Sequence, residues 1–153
     1  MKKIPIQNLT PSLVSGIEVQ MPGMAVTEKE TYYEWYKSSL ITRFKTTEIS
    51  GGFLKTWHHV PVFSNVETHL DAEMFYFISG IALMPFLDIR DGEPLLDTAQ
   101  IVRIHPGSQI IIPAGKGHYV AVAEGDDPLI IVVIAPEIED IKMKLSEPIE
   151  GIS

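Results

Sequence analysis

Turn signals cut the chain between residues 40 and 135 into eight short apolar runs, and this rhythm limits the fold more than any other feature of the sequence. The runs fall at 40–49, 52–58, 73–79, 81–89, 99–105, 108–113, 117–123 and 129–135. Many are rich in Ile, Val, Phe and Thr, which suit a pleated, half-buried surface. Between them stand "SGG", "DIRDGEP", "HPGS", "PAGKG" and "EGDDP", whose Gly, Pro, Asp and Ser residues favour turns or solvated loops. No long amphipathic helix is available to cover a parallel sheet, so the pattern predicts an all-β sandwich or closed barrel. With 153 residues and neither an internal repeat nor a linker, one domain over 1–153 is expected. Its core barrel should span about 40–136, with an N-terminal arm over 1–39 and a C-terminal tail over 137–153.

The arm carries Pro5, Pro11, Pro22 and Gly23 and little periodicity, so an irregular segment or an added edge strand is expected. In "VTEKETYYEWYKSS", Thr27 and Glu30 have capping-box spacing and suggest a short helix. Tyr32, Tyr33, Trp35 and Tyr36 make no clean helical stripe, so a strand or a patch packing on a partner chain fits as well. Sheet edges that need cover, together with this aromatic segment, predict a homodimer.

Charge excludes several functions. The formal net charge is −8 and the basic residues are scattered, which argues against nucleic acid and against an anionic membrane. There is no cysteine, so disulfides, thiolate catalysis and Cys-ligated zinc are ruled out. The start "MKKIPIQNL" lacks the apolar stretch of a signal peptide, and the longest apolar run, "LIIVVIAP", is too short for a membrane span. A soluble, cytoplasmic protein is the expectation.

The chemistry-bearing residues cluster in "VETHLDAEMFYFISG", Val66 to Gly80. In an extended chain residues two apart share a face, so Glu67 and His69 point the same way. Glu73 shares the parity of Phe75 and Phe77. Carboxylates and an imidazole facing an apolar interior must be paired or bind a metal; otherwise they belong to a wet rim. Later, "PGSQIIIPAGKGHYVAV" sets Gly107, Pro113, Gly115 and His118 in a strand–turn–strand arrangement. It delivers the His118 imidazole onto the face shared by Val120 and Val122.

Together these residues resemble the two motifs of the cupin superfamily. The first reads Glu67-x-His69-x3-Glu73-x6-Gly80, and the second Gly107-x5-Pro113-x-Gly115-x2-His118. The resemblance covers about residues 52–136 and implies a double-stranded β-helix, or jelly-roll, barrel. Three positions depart from the family pattern: its leading Gly is Pro61, its first His is Glu67, and its closing Asn is Val122. The resemblance implies a divalent ion held by His69, Glu73 and His118, with Glu67 as the fourth ligand or instead as a catalytic base. Replacing a third His by Glu would take the site's net charge from +1 to neutral. That favours Mn2+ or Fe2+, with Ni2+ and Zn2+ still compatible with the imidazoles. "NVETHLDAEMFYFISGIALMPF" and "IVRIHPGSQIIIPAGKGHYVAV" are further similar to the ureidoglycolate lyase group, which implies a lyase acting on a ureido-substituted 2-hydroxy acid.

Other residues complete the expected site. His58 and His59 are adjacent, so only one can face the interior. His59 is a candidate general base and His58 a candidate substrate contact. Arg103 and Lys116 are candidate anion holders, and Tyr119, Tyr76 and Trp57 could line a pocket mouth or a dimer seam. Met74, Met84, Phe75, Phe77 and Phe86 read as core. Two functions follow: a metal-dependent enzyme for a small polar substrate, or a non-catalytic binding module for a small acid or sugar.

Overall fold

The computed structural model describes residues 1–137 and 139–153; residue 138, inside the expected C-terminal tail, lies outside them. Fourteen strands and no helix occur among the described residues. The first seven are β1 (Lys2–Asn8), β2 (Glu18–Gln20), β3 (Glu28–Lys29), β4 (Glu34–Trp35), β5 (Ile49–Thr56), β6 (Val62–Thr68) and β7 (Glu73–Ser79). The remainder are β8 (Ala82–Arg90), β9 (Glu93–Ile104), β10 (Gln109–Ile112), β11 (Gly117–His118), β12 (Val122–Ala123), β13 (Leu129–Pro136) and β14 (Ile141–Ile152). No helix among the described residues is long and apolar enough to cross a membrane.

Seven strands form one sheet in the order β11-β6-β14-β1-β9-β8-β12. Because β11 pairs with β8 as well as with β6, this sheet closes on itself. The fold is an all-β barrel, as the turn rhythm predicts. A second sheet, β2-β10-β7-β13-β5, packs on it, and β3 and β4 form a separate hairpin. The core therefore has two clusters. Ala82, Met84 and Phe86 of β8 face the second sheet with Phe75, Phe77 and Ile131, while Leu83 and Leu87 turn to Phe63, Ile101 and Ile149. A strand buried on both faces reads as an unbroken apolar run, as "ALMPFL" does. Phe77 and Phe86 are essentially fully buried, each contributing about 1.5–3 kcal/mol.

The expected limits of the barrel need correction. β1 is no arm. It lies inside the larger sheet, parallel to β14 over Lys2–Pro5 and to β9 over Ile6–Asn8. The strand changes partner at Pro5, so the missing N–H falls where neither ladder runs through. β14 likewise belongs to the sheet, paired with β6 across an irregularity between Lys144 and Ile149 that accommodates Pro148. No strand forms over 40–48. Residues there alternate half-buried and exposed, but the backbone is tied by a side chain, Lys45 N–H donating to Asp71 Oδ2 at 2.8 Å. β6 was absent from the expected strands, and residues 27–37 form the β3–β4 hairpin rather than a helix. "DIRDGEP" is a tight turn, with Asp91 and Gly92 both at positive φ, rather than a loose loop.

Candidate metal centre

Three strands and one turn carry the site. On β7, Glu73, Phe75 and Phe77 are buried while Met74 and Tyr76 are only half-buried, so Glu73 enters the interior in phase with the aromatics. Glu67 on β6 stands directly opposite His118 on β11. Between β6 and β7 sits His69, and the "PAGKG" turn reaches back to it: Gly115 N–H donates to the His69 carbonyl at 2.9 Å. Gly115 adopts φ +81, a left-handed conformation that glycine takes without strain. The second motif thus fixes the backbone of the first.

The side chains converge. Glu73 Oε2 lies 3.0 Å from His69 Nε2 and 2.9 Å from His118 Nε2. Ligand atoms of Glu67, His69 and His118 also fall within 4.8 Å of one another. His118 and His69 are 2% and 5% exposed, and Glu67 is half-buried. His118 Nδ1 lies 3.0 Å from the Lys116 carbonyl, a bond that puts the ring proton on Nδ1 and leaves the Nε2 lone pair facing Glu73.

Electrostatics at this site are unusual for three acids and bases alone. Burial alone would raise the pKa of Glu73, but the two imidazoles overcome it and hold the carboxyl at about 2. Burial also works against a charged His69, yet the Glu73 carboxylate and Asp140, whose Oδ1 is 3.4 Å from Nδ1, leave its pKa above the ordinary value. Glu67 is pushed up, chiefly by burial, with the His118 imidazole opposing. Despite the short distances, His69 Nε2, Glu73 Oε2 and His118 Nε2 are buried without an aligned hydrogen bond. Their spacing fits a shared ion: donors bound at about 2.1 Å and at right angles would stand roughly 3.0 Å apart. The residues present therefore fit a divalent cation, with imidazole and carboxylate donors suited to Mn2+, Fe2+, Ni2+ or Zn2+.

A cavity of about 180 Å³ opens beside the centre. Glu67, Glu73 and His118 form its polar end, and Leu54, Phe75, Val120, Ala121 and Val133 form its walls, with Tyr119 among them. Of the residues expected to touch substrate, Tyr119 is thus at the cavity, whereas His58, His59 and Arg103 are not among its lining. His58 is exposed, with Nδ1 2.9 Å from the Glu124 carbonyl. His59 is exposed, with Nδ1 2.7 Å from the carbonyl of Val60, its neighbour. Arg103 donates twice to the Glu124 carboxylate, at 2.7 and 2.5 Å, and once to Asn8. His58, His59 and Arg103, expected as substrate contacts and base, thus lie outside the lining of this cavity. The residue pair "HH" cannot reveal that β5 ends at Thr56 and that His58 keeps only an isolated bridge to Ala123. Asp140 beside His69 had no motif to announce it.

No protein-family model matches the sequence, and no curated protein matches it. Among solved structures, the chain is similar to the oxalate decarboxylase of Bacillus subtilis, in a structure concerned with its Mn(II) centres. The identity is 23% and the TM-score 0.46, over 64% of this chain and 24% of that one. It is also similar to the oxalate decarboxylase of Lactobacillus farciminis in a formate complex, at 22% identity and TM-score 0.49, over 63% of this chain and 27% of that one. The chain spans about a quarter of the length of these proteins.

Proposed function

We propose that this chain is a metal-dependent enzyme of cupin type acting on a small molecule, with a divalent ion held by His69, Glu73, His118 and Glu67. One observation carries the reading: the buried Glu73 Oε2 lies about 3 Å from each of two buried imidazole Nε2 atoms without an aligned hydrogen bond. Left without a cation, such atoms forfeit solvation and gain no aligned bond. A bound ion would polarise an oxygen of the substrate as a Lewis acid. The chain's own residues do the rest. His118 is oriented by the Lys116 carbonyl, and apolar side chains flank the polar end. Glu67, half-buried at the cavity's polar end, would complete the shell as the fourth ligand.

The ureidoglycolate-like substrate finds little support in these walls. A ureido end needs several hydrogen-bond partners, and apart from Tyr119 the lining beyond Glu67, Glu73 and His118 is apolar.

The test is metal content of protein purified without added metal, followed by reloading with Mn2+ or Fe2+. Stoichiometric uptake that raises the melting temperature is expected, as is loss of uptake in both His118→Ala and Glu73→Gln. Full occupancy in both variants, or no uptake in the parent, defeats the reading and leaves a binding module for an organic ligand.

We also propose that the chain works as a homodimer. The support is the β3–β4 hairpin, in which every residue from 25 to 37 is exposed.

A further inference from the structure

The walls of the cavity define what the centre accepts. We propose that the site takes a small, singly charged oxygen chelator with a short aliphatic body and turns away dianions and polar-tailed acids; this rests on the metal-centred reading above. Three observations carry it.

The first is size. A volume of about 180 Å³ has room for roughly six water-sized groups, well below the span of pockets that hold drug-sized ligands. The second is charge. Glu67 and Glu73 already balance a divalent ion, Asp140 stands close behind His69, and no Lys or Arg lines the cavity. The nearby cations are committed elsewhere: Lys116 Nζ is bound to Asp88 at 2.6 Å, Arg103 to Glu124, and Lys142 Nζ lies 4.0 Å from Asp140. A monoanion leaves the buried site with one excess negative charge. A dianion leaves two with no counter-charge, and burying unpaired charge is heavily penalised. The third is polarity. Beyond the polar end, Leu54, Phe75, Val120, Ala121 and Val133 offer no side-chain hydrogen-bond partner, and Tyr119, the one other lining residue, packs against the core cluster of Leu83 and Leu87, so the far part of the ligand gains by being apolar.

The walls can be read with 2-hydroxy acids that share one chelating end and differ only in the tail. Mn2+-loaded protein is titrated calorimetrically with glycolate, 2-hydroxybutyrate, 2-hydroxyisocaproate, malate and ureidoglycolate. Affinity should rise about fourfold per added methylene until the cavity is full. Malate and ureidoglycolate should bind at least tenfold more weakly than the aliphatic acid of similar size. A flat series, or malate or ureidoglycolate binding as tightly as the aliphatic acids, overturns the inference while leaving the metal centre intact. Failure to take up Mn2+ at all overturns both. Leu54→Arg sets a cation on the wall from edge strand β5, where its stem can reach solvent. It should bring malate level with 2-hydroxybutyrate without changing metal content; no gain for malate in a folded, Mn2+-loaded variant counts against the role of charge.

Discussion

Glu67 occupies the position where the resembled cupin pattern has histidine, and burial raises its pKa beside a depressed Glu73 and a raised His69. Glu73 is depressed to about 2 from an ordinary 4.5, so its contribution to stability is present above pH 4.5 and fades as the pH falls toward its folded value. His69 is raised above 6.5, so its contribution is present below pH 6.5 and is lost as the pH climbs through its folded value. Glu67 is raised above 4.5, and ionising it in its half-buried place also lowers stability as the pH rises. The metal-free protein should therefore be most stable between about pH 4.5 and 6.5. An ion requires unprotonated imidazoles and carboxylates, so loading should move the optimum upward. Melting temperature against pH, with chelator and with Mn2+, checks this; one common optimum would mean that the cluster does not hold the ion. Much of the cluster was legible in the sequence. The parity of Glu73 with Phe75 and Phe77 gave its facing, and the spacing of Gly115 and His118 gave the turn. Asp140 was not legible, because it reaches His69 from the start of β14, seventy-one positions along the chain.

Among the elements, those bounded by local turn signals were the ones the pattern announced, however far away their partners lie in sequence. β7, β8, β10 and β13 carry continuous or alternating apolar runs bounded by turn residues, and each lies close to its expected place. β1 and β14 pair in parallel across almost the whole chain, Lys2 opposite Ile149. A register of that kind leaves no local turn signal, and Pro5 and Pro148 disguised the alternation. The end of β7 makes a separate demand. Gly80 closes the first motif at φ +74, and a Cβ there would meet the Pro128 carbonyl oxygen at 2.7 Å and Leu129 Cα at 2.9 Å. Those are backbone atoms of the segment leading into β13, which cannot step aside as a flexible side chain could. Gly80→Ala should therefore cost more than the ~1–2 kcal/mol of the left-handed backbone alone. Denaturant titration at constant slope measures it, and a loss below 0.5 kcal/mol, roughly the size of an ordinary surface change, would show that the closing turn relaxes freely.

At the scale of the whole molecule, the unbalanced feature is apolar surface. The β3–β4 hairpin is held by Thr27 N–H to Trp35 O at 2.7 Å, Glu30 N–H to Tyr33 O at 3.0 Å, and a Lys29–Glu34 ion pair. An isolated two-stranded hairpin is marginal in water, yet this one displays Tyr32 at 85% exposure and Trp35 at 55%. The second sheet ends at edge strand β5, whose outward row includes Ile49 and Phe53; Phe53 is 74% exposed and continues across the sheet to Val132 and Tyr76. Both an aromatic hairpin and an apolar edge lack cover within one chain, and a two-fold dimer in which each hairpin lies on the partner's sheet would cover both at once. Sedimentation velocity should then show a dimer of twice 17.1 kDa at micromolar concentration. Trp35→Ser with Phe53→Ser should shift it to monomer while metal uptake persists, since neither residue lines the cavity. A parent protein that sediments as a 17.1 kDa monomer at high micromolar concentration would leave the hairpin free for a partner of another kind.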